Sequence, residues 1–228
     1  MMPTAVIEWK RIPASAVEAG GRLIVFEGID GSGKSTQAKL LRDLLTGLGW
    51  PVLLTAEPSD GPVGTALRSL KSRLDPQEEA QLFTEDRAYH VEHVILPALN
   101  EGRIVICDRY VYSSIAYQGA RGVDPKNIIT ANEAFAVAPN VIFLLEISVE
   151  HAFERVVTNR GEGVTPFEAR ESLERVNSIY ARLDDPLLVR IDAAGSVEQV
   201  HATIVDALAK RVGFEGIELR EGRGGLKT

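Results

Sequence analysis

The chain has 228 residues, 45% of them hydrophobic, which is long enough to enclose a sizeable core, most simply in one domain. Twenty-five Lys and Arg against 32 Asp and Glu give a net charge of −7, which argues against a general nucleic-acid binder. Cys107 is the only cysteine, which excludes an intrachain disulfide and a cysteine-based zinc site and favours a reducing cytoplasm. The longest apolar run, Val141 to Leu145, is too short to span a bilayer, and no secretory signal is visible, so no membrane association is expected.

The chain divides into three parts of unequal size. Residues 1–21 are predicted to be an N-terminal extension, and residues 22–212 are predicted to be a single domain. Residues 213–228 hold five glycines and several charges, which is typical of a mobile tail.

Five short apolar runs predict the strands of the central domain. They are Leu23–Phe26, Val52–Thr55, Ile104–Cys107, Val141–Leu145 and Leu188–Ile191. The runs are continuous rather than alternating, which indicates strands buried on both faces. Segments of helical period lie between them, so we expect an α/β fold with a five-stranded parallel sheet and helices on both faces.

The segments between the strands carry helix signals of their own. A helical pattern, Gln37 to Leu48, follows the first strand. Thr165 to Glu168 reads as a helix start, with a cap residue, a proline in the first turn and a glutamate three residues on. Ser196 and Gln199 form a capping box ahead of Val197, Val200, Ile204 and Leu208, which are spaced along one helix face.

A glycine-rich loop directly follows the first predicted strand. Gly28 to Ser35 fits G-x-x-x-x-G-K-[ST], between an apolar run and a helical pattern. Glycines there turn backbone N–H groups toward phosphate oxygens at the positive end of a helix. Lys34 is expected to reach the β- and γ-phosphates of a nucleotide, and the Ser35 hydroxyl to hold Mg²⁺.

Asp108-Arg109-Tyr110 follows the third predicted strand. Because ligands in parallel sheets bind at the carboxyl ends of strands, these residues and Glu57 should share one rim with the glycine-rich loop. Asp108 suits a Mg²⁺ site, and Arg109 has a planar fork suited to two phosphate oxygens. The alternative for Asp108 is a strand-terminal carboxylate that caps a turn.

These motifs together resemble the thymidylate kinase family. The resemblance rests on Gly28–Thr36, on Glu57-Pro58, and on the string D-R-Y-V-Y-S-S-I-A-Y-Q-G from Asp108 to Gly119, and it covers roughly residues 23–212. It implies the fold of P-loop nucleoside monophosphate kinases and direct in-line transfer of the γ-phosphoryl of ATP to dTMP. It also implies Mg²⁺ and a homodimer.

The resemblance assigns roles residue by residue. The residues matching the ATP site are Gly28, Ile29, Asp30, Gly31, Ser32, Gly33, Lys34, Ser35 and Thr36. Those matching the dTMP site are Glu57, Arg68, Phe83, Arg87, Arg109, Ser114, Tyr117 and Gln118. Phe83 and Arg87, four apart on a predicted helix, match the pair that holds thymine, and Tyr117 matches the ring that favours deoxyribose. Asp30 matches a carboxylate near the acceptor, and Ser35 and Asp108 are the metal candidates.

The chain departs from the family pattern beside the acceptor phosphate. Many members carry R-E-P where this chain has Ala56-Glu57-Pro58, so one arginine is missing. Arg68 is expected to carry more of that load, or the affinity for dTMP is expected to be lower.

The catalytic charge must come from outside the phosphate loop, because none of its variable residues is basic. A lid is predicted at about residues 159–165, with Arg160 as its catalytic arginine and Arg155 and Arg170 as alternatives. Lys34, Arg109, Arg160 and Asp30 are thus the candidate catalytic residues. The segment from Asp192 to Gly195 lies where the family holds adenine.

Two other functions remain open at this stage. One is a kinase for another pyrimidine nucleotide or for a deoxynucleoside, in which Glu57 would deprotonate a 5′-hydroxyl. The other is a nucleotide-binding scaffold without catalysis; a GTPase switch is disfavoured because no N-K-x-D sequence is present.

Overall fold

All five predicted strands form one sheet. A computed structural model of the chain describes residues 18–70, 72–157 and 166–212. The strands are β1 Arg22–Glu27, β2 Val52–Ala56, β3 Ile104–Asp108, β4 Val141–Glu146 and β5 Leu188–Asp192. Every pairing is parallel, and the spatial order is β2-β3-β1-β4-β5. The predicted α/β class and five-stranded parallel sheet are confirmed.

The strands differ in burial according to their place in the sheet. Apart from residues at their ends, the three central strands β1, β3 and β4 are fully buried, as their continuous apolar runs predict. The edge strands β2 and β5 are largely half-exposed, so the expectation of burial on both faces is wrong for these two. An edge strand has a neighbour on one side only, so less of its surface is covered.

Helices connect the strands. They are α1 Lys34–Gly47, α2 Pro62–Ser69, α3 Pro76–His90, α4 Leu96–Asn100, α5 Val111–Tyr117, α6 Pro125–Glu133, α7 Val149–Val157, α8 Pro166–Tyr180 and α9 Val197–Val212. A π-helical turn, Val91–Ile95, joins α3 to α4, and a short 3₁₀ turn, Gly119–Arg121, follows α5. In the part of the chain that the structure describes, no helix is long and apolar enough to cross a membrane.

The helix starts confirm the capping signals. The Ser196 N–H donates to Gln199 Oε1 at 2.9 Å, and the Gln199 N–H donates back to Ser196 Oγ at 3.3 Å. Three of the four residues predicted for one face of α9 are buried, whereas Val197, at the first position, is 46% exposed. Helix α8 begins at Pro166 as predicted.

Three of the predicted segments lie wholly or mainly outside the described residues. They are the extension at residues 1–21, the lid at about residues 159–165 and the tail at residues 213–228, of which the structure describes only residues 18–21. Their predicted roles stay predictions.

The strand order places the candidate site. The chain leaves β1 between its two neighbours, with β3 on one side and β4 on the other. Such a reversal point is where ligands bind in open parallel sheets. In register, Phe26 lies beside Asp108 and Ala56 lies beside Asp108 on the other side. The ends of β1, β2 and β3 therefore meet at one rim, as predicted.

Helix α2 packs tightly against the loop that follows β2. A Cβ placed on Gly64 would lie 2.1 Å from the Ser59 carbonyl oxygen and 2.5 Å from Asp86 Oδ1. Ser59 itself is held by Asp86, whose carboxylate accepts from the Ser59 N–H at 2.7 Å and from its hydroxyl at 2.6 Å. The absence of a side chain at Gly64 thus lets α2 approach the Glu57–Gly61 loop.

We expect Gly64→Ala to lower the free energy of unfolding by about 1–3 kcal/mol, because backbone atoms must move to admit the methyl group. Chemical denaturation measures this change. Gly47→Ala is the matched control, since Gly47 ends α1 with no atom within 4 Å of its Cβ position. It should be neutral or slightly stabilising. Equal stabilities of the two variants would contradict the close approach of α2.

Candidate active site

The glycine-rich loop joins β1 to α1 in the predicted strand–loop–helix arrangement. Gly31 has φ +82°, and a Cβ there would lie 2.4 Å from the Ala152 carbonyl oxygen. Gly28 has φ +141°, and a Cβ there would lie 2.6 Å from the Leu145 carbonyl oxygen. Both positions therefore need glycine for conformation and for space. The hydroxyl of Ser32 is buried in this loop and has no hydrogen-bond partner among the described residues, so a donor is left for a ligand.

Lys34 begins α1 and is buried, with 5% exposure. Its Nζ donates to the Ile29 carbonyl at 2.9 Å. Burial, and to a smaller extent the positive charge of Arg109, lowers the pKa of Lys34 to about 7. The ammonium is thus poorly compensated, and an anion on the loop would stabilise its charged form.

Ser35 and Asp108 lie together at the rim. The Ser35 hydroxyl makes a short contact with Asp108 Oδ2, whereas the buried Asp108 Oδ1 has no hydrogen-bond partner within the described part of the chain. A carboxylate oxygen beside a hydroxyl is a hard oxygen donor set suited to Mg²⁺. The residues present therefore fit the predicted metal, and Asp108 does not serve as a turn cap through Oδ1.

A cavity of about 680 Å³ lies along the glycine-rich loop, and we call it the loop cavity. Its lining includes Asp30 to Gln37, Arg109 and Arg155. It is also lined by Ala193, Gly195, Val197 and Val200, which places the segment predicted to hold adenine at this cavity. Of the predicted ATP residues, Asp30 to Thr36 line it, and Gly28 and Ile29 form the start of the same loop.

A second cavity of about 270 Å³ adjoins it, and we call it the acceptor cavity. The predicted residues that line it are Asp30, Glu57, Phe83, Arg87, Arg109, Ser114, Tyr117 and Gln118. They come from the ends of β1, β2 and β3 and from helices α3 and α5. Tertiary structure has thus gathered residues that are up to 88 positions apart (118 − 30).

Arg87 is held rigidly in the wall of the acceptor cavity, with 1% exposure. Its Nε donates to Glu57 Oε2 at 2.7 Å and its Nη1 donates to Asn132 Oδ1 at 2.9 Å. Its Nη2 donates to Ser114 Oγ at 3.0 Å and to the Tyr110 carbonyl at 3.1 Å. Four of its five N–H donors are used by these described partners, so one remains for a ligand.

Both carboxylate oxygens of Glu57 take part in this network. While Oε2 accepts from Arg87, Oε1 lies 3.2 Å from His90 Nδ1, and the other ring nitrogen of His90 lies 2.7 Å from Thr55 Oγ1. The Glu57 side chain is 2% exposed. Glu57 is therefore a support for Arg87 and not a free base at the cavity.

The two cavities share Asp30 and Arg109. Arg109 Nη2 lies 2.5 Å from Asp30 Oδ1, and the guanidinium stacks over the Tyr117 ring, 4.8 Å from its centroid. The Asp30 N–H donates to the Tyr117 hydroxyl at 2.9 Å. Side chains from the glycine-rich loop and from α5 are thus tied together where the cavities meet.

Two of the predicted arginines, Arg68 and Arg170, do not line the acceptor cavity. Arg68 donates to the carbonyls of Pro58 and Ser59 and pairs with Asp60 at 2.9 Å, in a groove that also contains Ala56 and Asp108. Arg170 is exposed and pairs with Glu150 and Glu174 on the surface. Arg160 lies outside the described residues. Arg155, by contrast, lines the loop cavity and donates to the Gly31 carbonyl at 3.2 Å.

Sequence reasoning missed several residues of the acceptor cavity. They are Arg73, Glu79, Arg121, Ser172 and Val176. Glu79 pairs with Arg121 at 2.6 Å and accepts from Gln118 Nε2 at 3.2 Å, which leaves the buried Gln118 Oε1 without a partner among described residues. Arg121 follows the predicted residue Gln118 by three positions, and this helical spacing could have identified it from the sequence. Ser172 and Val176 come from α8, and no local motif marks them.

Comparisons with known proteins agree with this geometry. The family model described as "Thymidylate kinase" matches residues 26–204. The chain is 45% identical over 196 residues to the thymidylate kinase of Akkermansia muciniphila, covering 85% of this chain and 94% of that protein. It is 42% identical over 188 residues to the thymidylate kinase of Desulfotalea psychrophila, covering 81% and 93%. It is 44% identical over 201 residues to the "Probable thymidylate kinase" of Pyrococcus horikoshii, covering 83% and 96%. With a phosphate loop, a second cavity that meets it, and similarity over most of its length, the chain belongs to the thymidylate kinase family.

Proposed function

We propose that this protein transfers the γ-phosphoryl group of ATP to dTMP, giving dTDP, by direct in-line displacement without a covalent enzyme intermediate. Family membership supplies the reaction. The observation that carries it in this chain is the junction of two cavities at the Asp30–Arg109 pair. Two nucleotides placed end to end in these cavities would bring their phosphates together at that pair. Phosphoryl transfer depends mainly on such positioning and on charge compensation.

The donor binds in the loop cavity. Backbone N–H groups of the loop and the free Ser32 hydroxyl supply donors to the phosphates. Lys34 leaves the Ile29 carbonyl and donates to the β- and γ-phosphates instead. The adenine lies toward Ala193 and Gly195, where small residues leave space.

Mg²⁺ would be held by the Ser35 hydroxyl and by Asp108, whose Oδ1 has no described partner. When bound, the ion offsets phosphate charge. Lys34 and Arg109 also offset phosphate charge, because both line the loop cavity.

The base of dTMP binds at the end of the acceptor cavity that contains Phe83, Arg87 and Gln118. The Phe83 ring offers a stacking face, and the last N–H of Arg87 donates to a thymine carbonyl. The Gln118 Oε1 atom needs a donor, which the N3–H of thymine supplies. Cytosine has no hydrogen at N3, so the same arrangement disfavours dCMP.

The phosphate of dTMP binds toward Arg109. As an anion it attacks directly, so no strong general base is required. Asp30 holds the Arg109 fork at 2.5 Å and presents its carboxylate toward the sugar, and the Tyr117 ring lies beside it and crowds the 2′ position. Arg68 lies in a neighbouring groove, and its proposed role at this phosphate requires a change of side-chain conformation.

The transferred group needs a further positive charge. Arg160 remains the proposed lid arginine, and Arg155 is the alternative with structural support, because it already lies against Gly31 in the loop cavity. Arg170 is disfavoured because it is engaged by two surface carboxylates.

Glu57 argues against the deoxynucleoside alternative. A nucleoside kinase needs a carboxylate that can accept a proton from a 5′-hydroxyl. Both Glu57 oxygens already contact cationic or polar side chains, Arg87 and His90. We also propose a homodimer, as in the family, and a cytoplasmic location, in keeping with the single free and buried Cys107.

A substrate panel tests the function. The purified protein is given ATP and Mg²⁺ with dTMP, dUMP, dCMP, dGMP or thymidine, and ADP release is measured. We expect rapid turnover with dTMP, slower turnover with dUMP, since one methyl group gives only about 1–3 kcal/mol, and none with thymidine. Lys34→Met should be inactive. The proposal would be rejected if the protein phosphorylated thymidine but not dTMP, or if it phosphorylated none of these acceptors.

The lowered pKa of Lys34 predicts proton uptake on donor binding. At pH 8 a group with a pKa of about 7 is mostly neutral, and the triphosphate charge should raise that pKa, so binding takes up close to one proton per site. Affinity for the donor should then fall by up to about tenfold per pH unit above 7.

Calorimetry of a non-hydrolysable ATP analogue at pH 8, in two buffers of different ionisation enthalpy, measures this uptake. Lys34→Arg is the control, because arginine keeps its charge over this range. Equal uptake by the two proteins, or uptake by the original protein at pH 6, would contradict the assignment.

The base-stacking role of Phe83 gives a separate prediction. Phe83→Leu keeps an apolar side chain but loses the ring, so KM for dTMP should rise about tenfold, within the 1–3 kcal/mol typical of stacking, while KM for ATP stays unchanged. Phe135→Leu is a matched control, since that ring is half-buried and lines neither cavity. A rise in KM for both substrates would show that Phe83 acts through the fold.

A further inference from the structure

Glu27 is a buried carboxylate that the proposed reaction does not use. It ends β1 directly before the glycine-rich loop and has no exposed surface. Its Oε1 accepts from the Tyr110 N–H at 2.9 Å and from the Ser113 N–H at 3.0 Å. Its Oε2 accepts from the Ser113 hydroxyl at 2.6 Å and from the Tyr180 hydroxyl at 2.9 Å. A carboxylate with four donors is built into this position, because burying one without them would be costly.

Two of the residues that donate to Glu27, Tyr110 and Ser113, follow Arg109 closely along the chain. Arg109 has φ +77°, the left-handed conformation that non-glycine residues rarely adopt. Its own N–H donates to the Phe26 carbonyl at 2.9 Å, and the next N–H, of Tyr110, donates to Glu27. Phe26 and Glu27 thus hold the two peptide groups on either side of the strained residue.

Glu27 also acts on the Arg109 side chain through Ser113. Since the Ser113 hydroxyl donates to Glu27 Oε2, its oxygen is free to accept from Arg109 Nη1, which lies at 3.2 Å. A direct ion pair between Glu27 and Arg109 would draw the Arg109 guanidinium away from the two cavities. Ser113 instead accepts from one terminal nitrogen of the guanidinium, Nη1, and the other, Nη2, donates to Asp30.

Tyr180 brings a third element to this network. It is the last residue of α8, with 2% exposure, and its hydroxyl also lies 3.2 Å from Ser113 Oγ. Two other residues of α8, Ser172 and Val176, line the acceptor cavity. The helix that forms one wall of that cavity is therefore joined by the Tyr180 hydroxyl to the support of Arg109.

We propose that Glu27 and the Tyr180 hydroxyl are positioning residues that hold Arg109, through Ser113 and the Tyr110 backbone, in the geometry that binds the acceptor phosphate. This inference deepens the proposed function and rests on Arg109 contacting that phosphate. The hydrogen bonds are preformed in the free protein, so Arg109 needs little reorganisation when the acceptor binds.

A double-mutant cycle tests the coupling. Tyr180→Phe removes one hydroxyl and keeps the ring, and should lower kcat/KM for dTMP about fivefold, the factor expected for one lost hydrogen bond, with KM for ATP unchanged. In an Arg109→Ala background the same change should have less than a twofold effect, because the residue it positions is gone. An equal factor in both backgrounds would overturn the proposal.

Tyr112→Phe is the matched control. Tyr112 lies on α5, is equally buried, and its hydroxyl donates at 2.6 Å to a different carboxylate, Asp185 Oδ2. It should cost similar thermal stability and show no coupling to Arg109→Ala. Ser113→Ala, which breaks the link between Glu27 and the fork, should reproduce the coupling if Tyr180→Phe folds poorly.

A second readout needs no substrate. The side-chain Nε–H signal of Arg109 in the ¹⁵N NMR spectrum of the free protein, identified by its loss in Arg109→Ala, should shift in Tyr180→Phe and stay in place in Tyr112→Phe. An unmoved signal in Tyr180→Phe would reject the positioning role even for an active enzyme. If the original protein fails to phosphorylate dTMP, the proposed function fails, while this measurement still decides the inference.

Discussion

The hydrogen bond from the Arg109 N–H to the Phe26 carbonyl is the contact on which the site depends. It continues the β1–β3 ladder one residue beyond β3, so the chain after β3 leaves the sheet directly beside the glycine-rich loop. Arg109 itself has a left-handed backbone conformation. The strained residue is also one of the two that both cavities share, which agrees with the tendency of backbone strain to concentrate at functional sites.

Charge balance explains why this arrangement is stable before any nucleotide binds. Lys34 and Arg109 are the basic residues here, and Glu27, Asp30 and Asp108 are the carboxylates around them. Arg109 pairs with Asp30, whereas Lys34 donates to the Ile29 carbonyl, and burial lowers the pKa of its side chain. The site therefore keeps a reserve of unsatisfied donors on the side that faces the loop cavity. Preorganised donors of this kind stabilise phosphate charge without rearrangement.

The acceptor cavity is organised on a different principle. Its wall is fixed by hydrogen bonds among buried protein groups, with Glu57 and Asn132 holding Arg87, and Glu79 holding Gln118. Each of the two ligand-facing side chains then has one hydrogen-bonding position left. A base that matches those two positions gains both bonds, and a base that does not leaves buried polar atoms without partners, which is costly. The loop cavity recognises charge, and the acceptor cavity recognises a hydrogen-bond pattern.

The sequence alone determined the five strands, the helix starts at Pro166 and Ser196, the phosphate loop and the string from Asp108 to Gly119, because each depends on local patterns of burial, capping or glycine placement. Only the tertiary structure decided which oxygens and nitrogens are already engaged: that Glu57 supports Arg87, that Arg68 lies in a separate groove, and that Arg170 is a surface residue. Glu27 and Tyr180 are 153 positions apart, and nothing in either neighbourhood predicts their contact. The physical reason is that hydrogen-bond partners of buried polar groups come from whichever elements the sheet order brings together, and that order is not written in any local pattern.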